Sequence, residues 1–218
     1  MKVGIIGSGP VGQALGTAFV KEGRQVKLGT RKPDDGKVTQ WVKRAGPNAS
    51  AGTFADAAKF ADLAVLATKW DAGATENAIK LADPKNLAGK VVIDATNPLT
   101  PVRYAPLGLA LGFSDSAGEQ VQRWLRGAKV VKAFNTVTHP NMYKPRLEGG
   151  PPDMFLCGDD AQARATVAGI CRAFGWVPVD IGAMTGARLL EPLAVLYCVI
   201  AIQGGSWNLA WRLLREKR

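Results

Sequence analysis

Three glycines near the amino terminus, Gly7, Gly9 and Gly12, have the spacing of a loop that cradles a phosphate. In this pattern the first glycine makes a tight turn, the second lets the backbone approach a pyrophosphate, and the third lets a helix pack on a strand. The loop is completed by Ser8, Pro10 and Val11. The alternative interpretation is a tight turn that binds no ligand, because three glycines in six positions also occur by chance.

The residues around this loop favour the ligand-binding interpretation. A β-branched strand at 3–6 precedes it, apolar residues at helical spacing follow it up to Gly23, and a second strand is predicted at 25–28. The backbone N–H groups and the dipole at the start of such a helix attract anions. The opening of the chain therefore predicts a βαβ unit with a dinucleotide-binding loop.

The second strand ends in Thr30, Arg31 and Lys32, where NAD-binding proteins usually have an Asp or Glu for the ribose hydroxyls. A guanidinium can fork onto phosphate oxygens and stack on adenine, and an ammonium adds a point charge. These three residues therefore predict a site for the 2′-phosphate of NADP(H). A solvated basic turn is the alternative.

Later strand ends should face the same crevice, because ligands of open α/β sheets bind beyond the carboxyl ends of the strands. After the strand at 63–67 come Thr68, Lys69 and Trp70, which could place a charge near the diphosphate and a plane near the nicotinamide.

Two further strand ends offer amide side chains. Asn97, Pro98 and Leu99 follow the strand at 91–95, and Asn135 follows the strand at 130–134. We expect them to bind ribose or carboxamide and to form a floor for a second flat molecule. Loop chemistry alone explains the Asn-Pro pair equally well.

The sequence offers no recognisable acid–base set and no predicted metal site. His139 is the single histidine and lies in a loop, while Glu191 is either a perturbed buried carboxylate or a helix cap. Cys157, Cys171 and Cys198 are far apart, which excludes a disulfide framework and favours a reducing cytoplasm. Hydride transfer needs none of these groups, since the cofactor carries the chemistry and the protein supplies alignment.

The rest of the chain alternates between predicted helices and strands, which indicates a Rossmann-type, doubly wound parallel sheet with a short C-terminal helical cap. Further helices are predicted at 53–60, 72–81, 116–125 and 161–174, and further strands at 154–157 and 176–181. The stretch 187–215 is predicted to be helical, with a start or kink at Pro192 and a break at Gly204-Gly205. We accordingly predict an NADP-binding Rossmann domain at 1–183 and a helical segment at 184–218 that packs on it and on a dimer partner.

Composition narrows the function classes. The 218 residues carry 28 Lys and Arg against 18 Asp and Glu, a net charge of +10, which attracts anions. The basic residues are dispersed, with local clusters at 30–32 and 212–218, so nucleic acid is not the predicted partner. The longest apolar run covers 193–202, about half of the roughly twenty residues that a bilayer span needs. A cytoplasmic protein with no membrane partner is predicted.

With these motifs the chain resembles the NADPH:coenzyme F420 oxidoreductase family, whose Rossmann domain is similar to the reductase domain of the Steap metalloreductases. The shared motifs lie at 7–12, 29–32, 66–70, 132–136, 157–160 and 187–191. The resemblance implies a small dimeric enzyme in which a deazaflavin stacks on the nicotinamide of NADPH and hydride passes directly between them. It places NADP contacts on Ser8, Gly9, Pro10, Val11, Thr30, Arg31, Lys32, Lys69 and Trp70, and the deazaflavin floor near Asn97, Pro98, Leu99 and Asn135.

One departure from the family leaves the acceptor open. Archaeal members that use the deazaflavin have a histidine in place of Asn135 and lack the pair Asn97-Pro98. The predicted function is therefore an NADPH-dependent oxidoreductase that transfers hydride to a flat acceptor such as coenzyme F420 or a flavin. A non-catalytic NADPH-binding sensor or regulatory protein is the alternative. The apolar segment 189–202, with Trp207 and Trp211, predicts a homodimer, since such a helix would otherwise be exposed.

Overall fold

The computed structural model describes residues 1–100, 107–214 and 216, apart from the side chain of Ala72. Its centre is a six-stranded parallel sheet with the strand order β3-β2-β1-β4-β5-β6. The strands are β1 (Lys2–Ile6), β2 (Gln25–Gly29), β3 (Ala49–Gly52), β4 (Leu63–Leu66), β5 (Val91–Asp94) and β6 (Lys129–Lys132). The direction of winding reverses between β1 and β4, which is where open α/β sheets bind their ligands.

Helices cover both faces of the sheet. They are α1 (Pro10–Lys21), α2 (Gly36–Ala45), α3 (Phe54–Phe60), α4 (Ala74–Ala82), α5 (Ala117–Trp124), α6 (Ala161–Ala173) and α7 (Ala187–Gln203). One apolar cluster joins α1, α2 and α6 to the sheet, and a second joins α3, α4, α5 and the start of α7 to it. Because the strands are buried on both faces, β1 and β4 are near-continuous apolar runs. The predicted doubly wound Rossmann-type fold is confirmed.

The last two strands do not extend the main sheet. β7 (Asp153–Leu156) and β8 (Val177–Asp180) form a separate parallel pair. The pair is linked to β6 by two backbone hydrogen bonds between Lys132 and Cys157, of 2.8 and 3.2 Å. The alternation of helices and strands predicted one continuous sheet, and this detail is corrected.

The structure also adds and removes elements relative to the prediction. Helix α2 and the edge strand β3 were not predicted. Helix α7 ends at Gln203, so the predicted break at Gly204-Gly205 is confirmed, but the helix predicted beyond it is wrong from 206 to 214. Its last residue, Arg215, lies outside the described residues, as do Lys217 and Arg218.

After α7 the chain turns at Gly204-Gly205 and folds back on the domain. The hydroxyl of Tyr197 donates to the carbonyl of Trp207 at 2.9 Å, and the carbonyl of Trp211 accepts from the N–H of Asp153 at 2.9 Å. These contacts hold the segment in an extended form, and a continuous helix could not make them.

A helical stretch at Met184–Gln203 is long and apolar enough to cross a membrane by length and composition. It includes Arg188 and Glu191, which form ion pairs with Glu119 and Lys132 of the same chain. The prediction that the chain does not span a membrane stays a prediction.

Candidate functional site

The glycine loop lies between β1 and α1, and each of its glycines meets a different constraint. Gly7 has φ +126°, and a Cβ there would overlap the carbonyl of Ala67. A Cβ at Gly12 would overlap the carbonyl of Gly7, whereas one at Gly9 would have no atom within 4 Å. Gly9 also caps α1, so that the N–H groups of the first turn have no side-chain cap. The loop therefore leaves open space in front of a helix N-terminus.

A cavity of about 220 Å³ begins at this loop and extends along the carboxyl ends of β2 and β4. Six of the predicted cofactor residues line it: Gly7, Ser8, Thr30, Arg31, Thr68 and Lys69. The loop and the end of β2 are joined by the hydroxyl of Ser8, which donates to Thr30 Oγ1 at 3.1 Å. The structure thus brings together residues that are separated by up to 62 positions in the sequence.

The charges at this cavity are cationic. Arg31 and Lys69 are exposed, and neither forms an ion pair within the part of the chain that the structure describes. Lys32 lies outside the lining, and its N–H approaches Thr30 Oγ1 at 3.4 Å. Two unpaired cations beside a helix N-terminus make a favourable place for a phosphorylated ligand.

Other residues of the cavity were missing from the sequence prediction. They are Phe54, Ala74, Asn77 and Ala78, at the start of α3 and in the first half of α4. The signal that could have found them is the rule that helices following adjacent parallel strands begin at the same edge of the sheet.

Several predicted cofactor residues lie outside this lining. Trp70 stacks on Trp124, with ring centroids 5.6 Å apart and planes at 21°. Val11 packs against the core, and Pro10 lines a groove beside α1 that also contains His139. The proposed contact of Trp70 with the nicotinamide therefore stays a prediction.

The predicted acceptor floor is held together by an amide pair. Asn97 Nδ2 donates to the carbonyl of Asn135 at 2.7 Å, and Asn135 Nδ2 donates to Asn97 Oδ1 at 3.0 Å. Asn135 Nδ2 also donates to the carbonyl of Leu190 on α7 at 3.0 Å. Pro98 is buried beside this pair, and Leu99 forms an antiparallel bridge with Leu109.

An apolar groove of about 1010 Å³ adjoins this floor and was not predicted. One wall is the loop 108–113, where Leu109 pairs with Leu99 of the floor. The other wall is α7, where the carbonyl of Leu190 accepts the hydrogen bond from Asn135 of the floor. The cation in the groove, Arg188, forms a two-pronged contact with Glu119, with distances of 2.8 and 2.6 Å. Hydrogen bonding to Arg188 lowers the pKa of Glu119, although partial burial opposes the shift.

Behind the floor lies a buried ion cluster, of which only Glu191 was predicted, as either a buried carboxylate or a helix cap. The ammonium of Lys132 contacts the carboxylates of Asp94 and Glu191, and all three side chains are buried. Glu191 accepts hydrogen bonds from the N–H groups of Ala117 and Gly118, so it caps α5 rather than its own helix. Nothing in the local sequence predicts that Lys132 and Asp94 join Glu191, since the members are 38 and 59 residues apart.

Nucleophilic and metal-binding groups are not evident in the part of the chain that the structure describes. No group of three or more His, Cys, Asp and Glu side chains is placed there to hold a metal ion. Burial raises the pKa of both Cys157 and Cys171 to about 12, so these thiols are not reactive thiolates. The site offers positioned polar groups, positive charge and an apolar groove.

Comparisons with known proteins point in the same direction. The family described as NADP oxidoreductase, coenzyme F420-dependent, matches residues 2–98. A crystal structure of a candidate F420-dependent NADP reductase from Arthrobacter sp. FB24 is 34% identical, with a TM-score of 0.92 over 99% of this chain and 100% of that one. The F420-dependent NADP reductase of Methanocaldococcus jannaschii is 28% identical over 90% of this chain and 90% of that protein.

The metalloreductase STEAP3 of Rattus norvegicus is 31% identical over 203 residues, which is 89% of this chain. The chain spans only 35–37% of the length of the STEAP metalloreductases that it matches. This similarity therefore concerns one part of those proteins.

Proposed function

Because the chain belongs to the family of coenzyme F420-dependent NADP oxidoreductases, we propose that it oxidises NADPH by passing hydride to a flat acceptor of the deazaflavin or flavin type. The observation that carries the proposal is the cavity in which the glycine loop, the basic end of β2 and Lys69 meet. An open, cationic pocket at a helix N-terminus suits a phosphorylated dinucleotide, and it has no acidic residue at positions 30–32 that would repel a 2′-phosphate.

The residues present suit the phosphate groups of NADPH. The open space at Gly9 and the N–H groups at the start of α1 would hold the pyrophosphate. Arg31, Lys32 and Lys69 would bind the 2′-phosphate and the remaining phosphate charge. NADPH supplies the hydride when it is bound. The protein contributes alignment and the exclusion of water, which are the parts of catalysis that direct hydride transfer requires.

The acceptor is proposed to lie in the apolar groove between the loop 108–113 and α7. A flat, largely apolar ring system fits a groove of about 1010 Å³ whose lining is mostly Leu, Gly, Ala, Val and Pro. The amide pair of Asn97 and Asn135 lies outside the lining of the groove and is linked to its α7 wall by the hydrogen bond from Asn135 to the carbonyl of Leu190, so we propose that it supports the acceptor from below. Deazaflavin F420 and flavin remain the two acceptor classes, because an asparagine side chain can hydrogen-bond the polar ring edge of either.

The test is NADPH oxidation by the purified protein with a panel of acceptors, namely F420, FMN, FAD and a soluble quinone. We expect loss of NADPH absorbance with at least one member of the panel. Inactivity with every acceptor of the panel would contradict the proposal. Tight NADPH binding without turnover would instead support a sensor or regulatory role.

The chain is further proposed to act as a homodimer through α7. Leu189, Leu196 and Ile200 are 69%, 48% and 42% exposed, and their spacing places them on one side of this helix. A second copy would cover this face and close one side of the acceptor groove, since Leu189 belongs to both. A dimer is expected in sedimentation, and Ile200→Glu should convert it to a monomer. A wild-type monomer at micromolar concentration would contradict this.

We further propose that the chain divides into a Rossmann unit at 1–183 and a cap at 184–218. We also propose that the protein is located in the cytoplasm. The division is supported by the contacts of α7, which joins one apolar cluster of the sheet at its start and leaves an exposed face beyond it. The location is supported by three free cysteines, of which two are buried.

A further inference from the structure

The ammonium of Lys132 contacts three oxygen atoms from two different parts of the fold. Its Nζ lies 2.9 Å from Asp94 Oδ2 and 2.7 Å from the carbonyl of Thr96, both at the carboxyl end of β5. It also lies 3.0 Å from Glu191 Oε1 on α7. Since Lys132 itself ends β6, one ammonium ties two strand ends to a helix.

The acceptor floor is attached to the same three segments. Asn97 directly follows the residue whose carbonyl Lys132 binds, and Leu190 directly precedes the glutamate that Lys132 binds. Asn135 lies three residues beyond Lys132 and donates to the Leu190 carbonyl and to Asn97 Oδ1, both at 3.0 Å. The cluster and the amide pair therefore close a ring, and displacement of one would displace the other.

The ammonium has little freedom to move within this ring. A Cβ added to Gly118 would come within 3.0 Å of Lys132 Cε, so α5 packs directly on the lysine stem. Burial pulls the pKa of Lys132 down, but Asp94 and Glu191 outweigh this effect and leave the pKa above its ordinary value. The N–H groups of Ala117 and Gly118, each 3.0 Å from Glu191, offset the surplus negative charge of the two carboxylates.

Lys132 lines neither the nucleotide cavity nor the apolar groove, so it does not touch the reactants. A buried ion cluster is also poor evidence for stability alone, because an apolar replacement of similar volume is often as stable. What an apolar side chain could not do is hold the Thr96 carbonyl and α7 at fixed distances from the end of β6.

We propose that Lys132 is a positioning residue for hydride transfer, which fixes Asn97 and α7 relative to β6 and thereby sets the floor on which the acceptor ring lies. The inference rests on the proposed function, because it concerns the acceptor half of that site. A shift of about 1 Å between reacting groups is enough to lower a rate by about a hundredfold.

The test compares Lys132→Met/Asp94→Asn with Asp94→Asn. The double variant keeps the net charge of the cluster and most of the length of the side chain, which reduces the risk that the protein fails to fold. With F420 or FMN as acceptor we expect its kcat to fall at least about tenfold below that of Asp94→Asn. Its NADPH affinity, measured by fluorescence titration, should stay within about twofold, because the nucleotide cavity does not contain Lys132.

Leu87→Ala is the matched control, because Leu87 is 1% exposed in the second apolar cluster and lines neither site. The positioning role is overturned if kcat equals that of Asp94→Asn, if it falls no more than in Leu87→Ala, or if NADPH affinity falls in parallel.

A second readout does not depend on the acceptor. The ¹⁵N side-chain amide signals of Asn97 and Asn135 should shift in the double variant and stay in place in Leu87→Ala. If the wild-type protein reduces no acceptor, the proposed function fails, yet shifted amide signals would still support the role of Lys132 in placing the pair. Unshifted signals would overturn that role whatever the activity.

Discussion

Substitution of Arg31 by alanine should raise the KM for NADPH and leave the use of NADH unchanged. The guanidinium lines the nucleotide cavity beside Thr30, and it is exposed. A hydrogen bond to a charged group contributes about 1.5–3 kcal/mol, which corresponds to about 10- to 150-fold in affinity. Because Arg31 is exposed, solvent screening favours the lower end of this range, or about tenfold. Arg31→Lys should lie between wild type and Arg31→Ala, since it keeps the charge and loses the fork.

Arg24→Ala is the matched control for this prediction. It removes the same charge, but Arg24 precedes β2 and lies at the opposite end of that strand, about 20 Å from Arg31. Steady-state kinetics with NADPH and NADH, with the best acceptor of the panel, should show an effect of Arg31→Ala only, and only with NADPH. Equal losses with both nucleotides, or an equal effect of Arg24→Ala, would refute the assignment of the 2′-phosphate.

Three further predictions concern the loop, the core and the groove. Gly9→Ala should leave the melting temperature unchanged and weaken NADPH binding in titrations, because only the ligand would contact the new methyl group. Gly12→Ala should lower the free energy of unfolding by about 1–3 kcal/mol or more, because the new methyl group would overlap the carbonyl of Gly7. Trp41→Phe removes an indole N–H that lies 3.1 and 3.0 Å from two acceptors on α1, and it should lower the free energy of unfolding in urea by about 1–2 kcal/mol. Arg188 lowers the pKa of Glu119 in the folded state, so the ion pair stabilises the fold above the unfolded pKa of 4.5, and this stabilisation is lost as the pH falls. The free energy of unfolding of Arg188→Met should therefore decrease less than that of wild type between pH 7 and about pH 3. Equal acid sensitivity would contradict the last prediction.

The fold was predictable where local pattern and tertiary structure agree. The apolar runs at 3–6 and 63–66 are buried strands, and the glycine loop between β1 and α1 has the predicted form. Strand β3 was missed because its sequence, Ala-Ser-Ala-Gly, has no β-branched residue, and its stability comes from pairing with β2. The extended segment after α7 was predicted as helix because its apolar residues continue. The helix ends before the predicted glycine break and does not resume, because the long-range contacts of Trp207 and Trp211 hold the segment in an extended form.

The nucleotide half of the site was more predictable than the acceptor half. Motifs such as Gly7 to Gly12 are local, and the rule that strand ends share one edge of the sheet brings Thr30 and Lys69 to them. The groove depends on how α7 and the loop 108–113 pack, which no local pattern specifies. Lys132 has the same limitation, since a lysine at the end of a strand usually faces solvent and its partners are distant in sequence.

The most direct test of hydride transfer is a single-turnover oxidation of NADPH that carries deuterium at one or the other face of its nicotinamide C4, with F420, FMN and FAD offered separately. We predict that oxidation occurs with at least one acceptor and is slower for one labelled face only, because the two rings meet in a fixed orientation over Asn97 and Asn135. Failure of all three acceptors to oxidise bound NADPH would contradict the account.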